Sequence, residues 1–146
     1  MRRREFVAKT CITCLGVGIM STTLYNCASI HYTSGTVEPN GLSVSVTEFQ
    51  FEKRGEIVLR EFIVVQQPKL KFPIYLYRLS STEYSALWME CTHQGSELNA
   101  SGDHLYCSSH GSEFDNRGNV KQGPAEQNLR SFPVSVQGER ILINLS

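Results

Sequence analysis

The sequence predicts an all-β domain, and three features of its apolar pattern support this. Residues 42–46 alternate apolar and polar side chains with the period of two that a half-buried strand requires. Residues 56–65 and 72–79 are rich in β-branched and aromatic residues, which strands favour. Beyond residue 30, no long stretch repeats apolar residues at helical spacing. The one long helix candidate is the N-terminal segment.

The remaining strands follow the same pattern in chain order. Residues 84–89 form another apolar run that leads directly to Cys91. Residues 132–136 and 140–145 flank Gln137-Gly138-Glu139, which predicts a hairpin at the end of the chain. The basic segment 68–71 is interpreted as a solvated turn between strands. These elements predict one domain over residues 41–146.

Composition and charge limit the function classes. The 146 residues suffice for one modest domain, and 40% hydrophobic and 19% charged residues are typical of a globular chain. Four of the fourteen basic residues and one of the fourteen acidic ones precede Cys27, which leaves ten against thirteen. A mildly acidic body argues against a nucleic-acid partner, because phosphate binding requires a basic face.

Residues 1–30 are predicted to be an export signal or a membrane anchor. Residues 3–9, Arg-Arg-Glu-Phe-Val-Ala-Lys, resemble the twin-arginine signal that exports folded proteins across a bacterial membrane. The uncharged run that follows, residues 10–30, is long enough to span a hydrocarbon core. Residues 31–40 are polar, contain Gly and Pro, and are interpreted as a linker.

Cys27 is a candidate for lipidation. Residues 24–27, Leu-Tyr-Asn-Cys, resemble a lipobox, although Asn26 departs from the small residue usual before the cysteine. Lipidation of Cys27 and an uncleaved membrane span are both left open. Either would tether the domain to the periplasmic face of the bacterial inner membrane, while complete release is the weaker third alternative.

Two matched Cys-His pairs carry the candidate chemistry. Cys91 and His93 form the first pair, and Cys107 and His110 form the second. The segment between His93 and Cys107 has the turn residues of a hairpin, which would place the two pairs side by side. Coincidence is a poor explanation for four metal-capable side chains in so short a stretch. Structural zinc accepts two Cys and two His, but zinc fingers usually separate the two residue types into different arms.

The two pairs are similar to the ligand fingerprint of the Rieske iron–sulfur family, C-x-H…C-x-x-H. The segment Gly123-Pro124-Ala125 also resembles the loop that covers the cluster in that family. The resemblance implies an antiparallel β-sandwich or barrel with a cluster-binding subdomain inserted at about residues 90–123. It also implies one [2Fe–2S] cluster, with Cys91 and Cys107 on one iron and His93 and His110 on the other. Other residues expected to surround this cluster are Gly95, Ser109, Gly111, Ser112, Phe114 and Pro124.

Departures from the family pattern narrow the range of functions that the resemblance implies. Ser96 and Ser109 stand where quinol-oxidising members have a disulfide, so hydrogen bonding and packing must hold the loops together. Ser112 matches a hydroxyl donor to the cluster sulfurs, whereas Phe114 stands where the family has a second, tyrosine donor. Losing that donor destabilises the reduced cluster, which predicts a potential in the lower or middle part of the Rieske range. Gln94 replaces a shielding leucine.

The sequence thus predicts an electron-transfer protein or oxidoreductase subunit, and it shows no sign of a stand-alone enzyme. The first hypothesis is a respiratory chain component that takes electrons from a membrane donor such as quinol, beside a cytochrome b-type subunit. The alternative is a small subunit of a periplasmic oxidoreductase. A zinc-bound structural or binding module represents a different class that would use the same four residues.

Overall fold

The structure is a computed structural model that describes residues 29–146, and nearly all of its regular structure is β-strand. The predicted anchor helix, the twin-arginine motif and Cys27 lie outside the described residues. Within residues 29–146, no helix is long and apolar enough to cross a membrane. The strands in chain order are β1 Tyr32–Thr33, β2 Thr36–Glu38, β3 Gly41–Ser45, β4 Gln50–Lys53, β5 Glu56–Leu59, β6 Phe62–Val65, β7 Ile74–Arg78, β8 Tyr84–Trp88, β9 Asn99–Ser101, β10 His104–Tyr106, β11 Glu113–Asp115, β12 Val120–Gln122, β13 Ser131–Phe132, β14 Val134–Gln137 and β15 Arg140–Asn144, with a 3₁₀ helix at Val46–Phe49.

Two sheets form the base of the molecule. The first has the order β1-β6-β7-β8-β13 and the second the order β14-β15-β3-β2. One buried core contains Ile63 and Leu76 from the first sheet together with Val44 and Ile141 from the second. The apolar faces of the two sheets therefore pack against each other, as in a β-sandwich.

A subdomain packs on the other face of the first sheet, where the resemblance places the cluster-binding insertion. It is a four-stranded antiparallel sheet with the order β12-β11-β10-β9, and it lies within the predicted segment 90–123. Its core joins Val64 and Tyr75 of the first base sheet to Leu105 and Phe114 of the subdomain. Because β6 and β7 are covered on both faces, their sequences are continuously apolar and do not alternate.

Three sequence expectations need correction in detail. Residues 31–40, expected to be a linker, contain β1 and β2 and are hydrogen-bonded into both base sheets. Their polar composition reflects their position at sheet edges, where one side of a strand faces water. The run 56–65 is two strands, and its first half pairs with β4 in a separate hairpin. The run 132–136 is divided at Pro133, which has no N–H for a ladder.

The C-terminal hairpin is confirmed. Strands β14 and β15 pair with Val134 opposite Ile143 and Gln137 opposite Arg140. Strand β15 then pairs with β3, which brings the end of the domain back to its beginning.

Candidate metal centre

Two loops of equal length carry the predicted ligands at one end of the subdomain. Loop 1 is residues 91–96 and begins shortly after β8, while loop 2 is residues 107–112 and begins directly after β10. In loop 1, the N–H of Cys91 donates to Ser96 O at 2.8 Å and the N–H of Gly95 donates to Cys91 O at 2.8 Å. In loop 2, the corresponding distances are 2.8 Å from Cys107 N to Ser112 O and 2.9 Å from Gly111 N to Cys107 O.

A glycine closes each loop in the left-handed region. Gly95 has φ of +73° and Gly111 has φ of +82°, values that residues with a Cβ rarely adopt. The two glycines occupy the same place in each hydrogen-bonded frame, four positions after the cysteine. The sequence thus folds twice into one local structure.

The four predicted ligand side chains meet in two pairs between the loops, the cysteines with each other and the histidines with each other. Cys91 and Cys107 are free, 1% and 2% exposed, and close enough for their thiols to interact. The imidazole rings of His93 and His110 meet edge to face, with their centroids 4.9 Å apart. His93 is half-buried and His110 is exposed. The arrangement offers two enclosed sulfur atoms and two imidazole rings, of which that of His110 is exposed to solvent.

The surroundings of Cys107 favour its thiolate. Burial raises the pKa of the Cys107 thiol, but backbone hydrogen bonds from Ser109 and His110 oppose this effect and bring the pKa below its ordinary value. A thiolate is the form that binds metal, so these backbone donors favour the form of Cys107 that a metal would require.

Nδ1 of His93 is a buried polar atom without a hydrogen-bond partner. A buried nitrogen of this kind is costly unless something binds it, and a metal ion is one such partner. No three His, Cys, Asp or Glu side chains of residues 29–146 gather around a single ion position. A two-metal group requires only two protein ligands for each metal, so the paired donors satisfy it.

The two serines in place of a disulfide face each other. Ser109 Oγ donates a hydrogen bond to Ser96 Oγ over 3.1 Å. The expectation that hydrogen bonding holds the loops together is therefore confirmed at the position where the disulfide is absent.

A covering segment, residues 122–128, is attached to both loops. Ser112, fully buried, accepts a hydrogen bond at Oγ from the N–H of Ala125 over 3.0 Å. Gln122 donates through Nε2 to Gly111 O at 2.9 Å, and Thr92 Oγ1 of loop 1 donates to Gln127 O at 2.6 Å. Pro124, whose peptide bond with Gly123 is cis, lies exposed in this segment.

Sequence reasoning did not find the roles of Thr92 and Gln122. Both bonds join residues more than ten positions apart, and no spacing rule relates them. Phe114 is fully buried in β11 beside Leu105, where its ring fills the subdomain core. His104 lies on β10 outside both loops, with its Nδ1 3.4 Å from Asp103 Oδ1.

Comparisons with known proteins agree with this geometry. The profile of the Rieske [2Fe–2S] domain matches residues 45–133, more than half of the chain. The chain is similar to the cyanobacterial plasma membrane Rieske protein PetC3 from Synechocystis PCC 6803, with 30% identity and a TM-score of 0.51 over 57% of this chain and 86% of that one. It also shares a fold with a chain of a hyperthermophilic respiratory Complex III, with 15% identity and a TM-score of 0.51 over 95% of this chain and 92% of that one. No curated protein sequence matches.

Proposed function

Because the chain belongs to the Rieske [2Fe–2S] family, we propose that it carries single electrons through a cluster held by Cys91, His93, Cys107 and His110. Membership of the family implies one Rieske-type cluster and iron–sulfur electron transfer. The assignment of the four ligands is the further step, and the meeting of their side chains between two matched loops is the observation that carries it.

The donor set fits this cofactor. Each loop supplies one sulfur and one nitrogen, so each iron can take its pair from two loops at once. The unpartnered Nδ1 of His93 is the kind of buried atom that a metal would satisfy. When bound, the cluster supplies a one-electron couple, which in Rieske centres lies at about −150 to +300 mV.

The chain's own residues set the conditions around that couple. The backbone donors at Ser109 and His110 stabilise negative charge on Cys107. Burial of Cys91 and Cys107 keeps water from the sulfur side, while the exposed edge of His110 gives an electron a short path to the surface. Ser112 accepts from Ala125 and keeps its own hydroxyl proton available for a nearby sulfur.

We further propose that the protein works at the outer face of a bacterial membrane. The twin-arginine-like residues 3–9 and the candidate lipidation site Cys27 support export and tethering. The similarity to PetC3, a plasma membrane Rieske protein, supports the same location. In this setting the partner is a membrane donor such as quinol with a cytochrome b-type subunit, or a periplasmic redox protein.

The electron paramagnetic resonance spectrum of the dithionite-reduced, anaerobically purified protein tests the cofactor and its ligands. We expect a reduced-state signal with an average g below that of four-cysteine clusters, and two irons per chain. The signal should disappear in Cys91→Ser, His93→Ala and His110→Ala. It should persist in His104→Ala, which removes a histidine outside the loops. If the protein gives no signal and contains stoichiometric zinc, the proposal of electron transfer is overturned and the domain is instead a zinc-bound structural module.

Cell fractionation tests the location. We expect a variant with Arg3→Lys and Arg4→Lys to stay in the cytoplasm, because the paired arginines are the feature an export receptor reads. Cys27→Ser should lose acyl labelling if Cys27 is lipidated. Retention of that variant in the membrane would instead indicate an uncleaved span.

A further inference from the structure

The β4–β5 hairpin stands apart from the three larger sheets. Among residues 29–146, its two strands pair only with each other. Arg54 and Gly55 form its turn with φ of +56° and +82°, the positive values that a type I′ turn requires. The hairpin is therefore well formed, but a sheet of only two strands is marginally stable in water and gains stability from a further strand.

The backbone of β5 has hydrogen-bonding groups that point away from β4. Residues of an antiparallel pair alternate between exchanging hydrogen bonds with their partner and directing those groups outward. A two-residue turn is closed by a hydrogen-bonded pair, so Glu56 bonds inward to β4, and every second residue after it does the same. The bond from Arg60 N to Phe49 O at 2.7 Å continues this alternation. The N–H and C=O groups of Ile57 and Leu59 therefore point to the outer edge, where the described part of the chain places no other strand.

The side chains of the same two residues are apolar and exposed. Ile57 is 73% exposed, the highest value among the large hydrophobic side chains of residues 29–146, and Leu59 is 45% exposed. Both lie on one face of the hairpin, since side chains two positions apart in a strand share a face. Natural strand edges are commonly protected by charge or proline, and neither stands at these two outward positions.

Strand β5 is complementary to a second copy of itself. Antiparallel pairing about a two-fold axis at Val58 would place Ile57 opposite Leu59 of the second copy, and Leu59 opposite its Ile57. Each of these pairs would exchange both N–H···O bonds through the groups that now point outward. The exposed apolar side chains of both copies would then come together on one face.

Charge favours this register over its neighbour. With Val58 on the axis, Glu56 faces Arg60 of the second copy on both sides of the axis, and opposite charges at facing positions stabilise a strand pair. A slip that puts Ile57 on the axis would instead bring Arg54 level with Arg60 of the second copy. Like charges at facing positions are destabilising.

A groove at the base of the hairpin lies where the turn of the second copy would arrive. It has a volume of about 660 Å³, and Leu59, Glu61 and Phe62 are among its lining residues. In the same register, Gly55 of the second copy comes level with Glu61, and its Arg54 comes level with Phe62. The exposed side chain of Glu61 thus offers a negative charge to the basic turn.

We infer that β5 pairs with β5 of a second copy of this chain, which joins two hairpins into one sheet with the order β4-β5-β5-β4. The interface is isologous, because each copy contributes the same residues. It involves few residues, so dimerisation depends on protein concentration. None of the pairing residues belongs to loops 1 and 2 or to the covering segment, so the inference does not rest on the proposed cluster.

Sedimentation velocity of the full chain in mild detergent tests the pairing. We expect the wild type to pass from monomer to dimer as its concentration rises. Glu56→Arg and Arg60→Glu should each raise the dissociation constant about tenfold, because both facing pairs of the dimer become repulsive. An equimolar mixture of these two variants should dimerise like the wild type, since opposite charges face each other again in the mixed dimer. The control Glu52→Arg makes the same charge change on β4, away from the pairing edge, and should leave the constant unchanged.

A cysteine on the two-fold axis tests the register. Val58→Cys should form an intermolecular disulfide under mild oxidation, because facing residues of a non-hydrogen-bonded pair have Cα atoms about 4.5 Å apart. The control is Ile57→Cys, which faces Leu59 of the second copy and should cross-link no more than the wild type. The wild type measures the background from the native cysteines.

A wild type that stays monomeric at every concentration would leave the edge to another segment of the same chain or to a different protein, and would overturn the inference. A dimer that neither charge variant weakens, or equal cross-linking of Val58→Cys and Ile57→Cys, would overturn it as well. Cys91→Ser, which loses the cluster under the proposed function, should dimerise as the wild type does. Failure to dimerise and failure to hold a cluster are therefore separate results.

Discussion

Loop 1 and loop 2 have the same backbone frame, but they place their histidines one position apart. In each loop the cysteine N–H and C=O bond to residues five and four positions later, and the glycine has positive φ. The histidine is the second residue after Cys91 but the third after Cys107. The frame brings both cysteines into the buried core, where they are almost equally enclosed.

The one-residue shift separates the two imidazoles. His93 is half-buried with an enclosed Nδ1, whereas His110 is exposed. The serines that end the two loops differ as well, because Ser96 is half-buried and Ser112 is fully buried against the covering segment. A common frame therefore fixes the sulfur positions, while the placement of histidine and serine makes loop 2 the more firmly anchored loop with the more accessible imidazole.

A disulfide between the loops is expected to have the largest effect on stability. Ser96→Cys with Ser109→Cys places two thiols where the hydroxyls already meet at 3.1 Å. We expect the bond to form and raise the free energy of unfolding by about 3 kcal/mol, since it closes a loop of about 15 residues. Denaturant titration with and without reductant measures this, and Ser109→Cys alone is the control. If the free energy of unfolding of the double variant were the same with and without reductant, the loops would not be held face to face.

The second comparison is between Ser96 and Ser112, the serines that end the two loops. Ser112→Ala leaves the buried N–H of Ala125 without an acceptor, so we expect a loss of about 2 kcal/mol and weaker iron retention. Ser96→Ala removes one bond near solvent and should cost less than about 0.5 kcal/mol. Thermal unfolding and iron content measure both effects. Equal losses would contradict the stronger anchoring of loop 2.

The local sequence pattern predicted the elements that are determined by neighbouring residues. The alternation at residues 42–46, the terminal hairpin and the two loops follow from neighbouring residues, and the structure has each of them. The facing of Ser96 and Ser109 followed from the resemblance, and the structure confirms it. The assignment of the four ligands stays a prediction, supported by the way their side chains meet.

The parts that were missed depend on distant partners. Strand β1 is polar and very short, and it exists because β6, which lies much later in the chain, offers it an edge. The bond from Thr92 to Gln127 likewise joins two segments that are remote in sequence. Pattern reasoning detects which side of a segment is buried, but it does not specify which remote segment will cover it.

Replacing the loop glycines is expected to have an intermediate effect. Alanine at Gly95 or Gly111 would have to adopt positive φ, at about 1–2 kcal/mol each. A Cβ at Gly95 would also lie 3.3 Å from Glu90 Oε1, whereas at Gly111 the nearest atom is 3.9 Å away. We therefore expect Gly95→Ala to be the more destabilising change in chemical unfolding. The control is Gly138→Ala, which has φ of +60° and no neighbour within 4 Å.

The residues seven positions after each cysteine allow a test of the redox potential. These are Leu98 and Phe114, both buried in the subdomain core. Phe114→Tyr should raise the midpoint potential by about 40–60 mV, because one added hydrogen bond near the cluster stabilises its reduced form. Leu98→Met, which conserves volume, should leave the potential unchanged. In a redox titration, a wild-type value near the top of the Rieske range would contradict the expected lack of a donor at Phe114.

The smallest expected effect is a pH dependence of stability that arises from Asp115, which follows loop 2, and that has no counterpart after loop 1. Burial raises the pKa of Asp115, but hydrogen bonds from Asn119 and from Arg117 N outweigh it and lower the pKa below its ordinary value. The carboxylate therefore stabilises the fold fully above the unfolded pKa of about 3.9, and this contribution is lost as the pH falls through the folded pKa. We expect Asp115→Asn to be less stable than the wild type by about 1 kcal/mol at pH 6, with the difference shrinking towards pH 3. The corresponding residue after loop 1 is Asn99, which does not titrate, so Asn99→Ala should differ from the wild type by the same amount at both pH values.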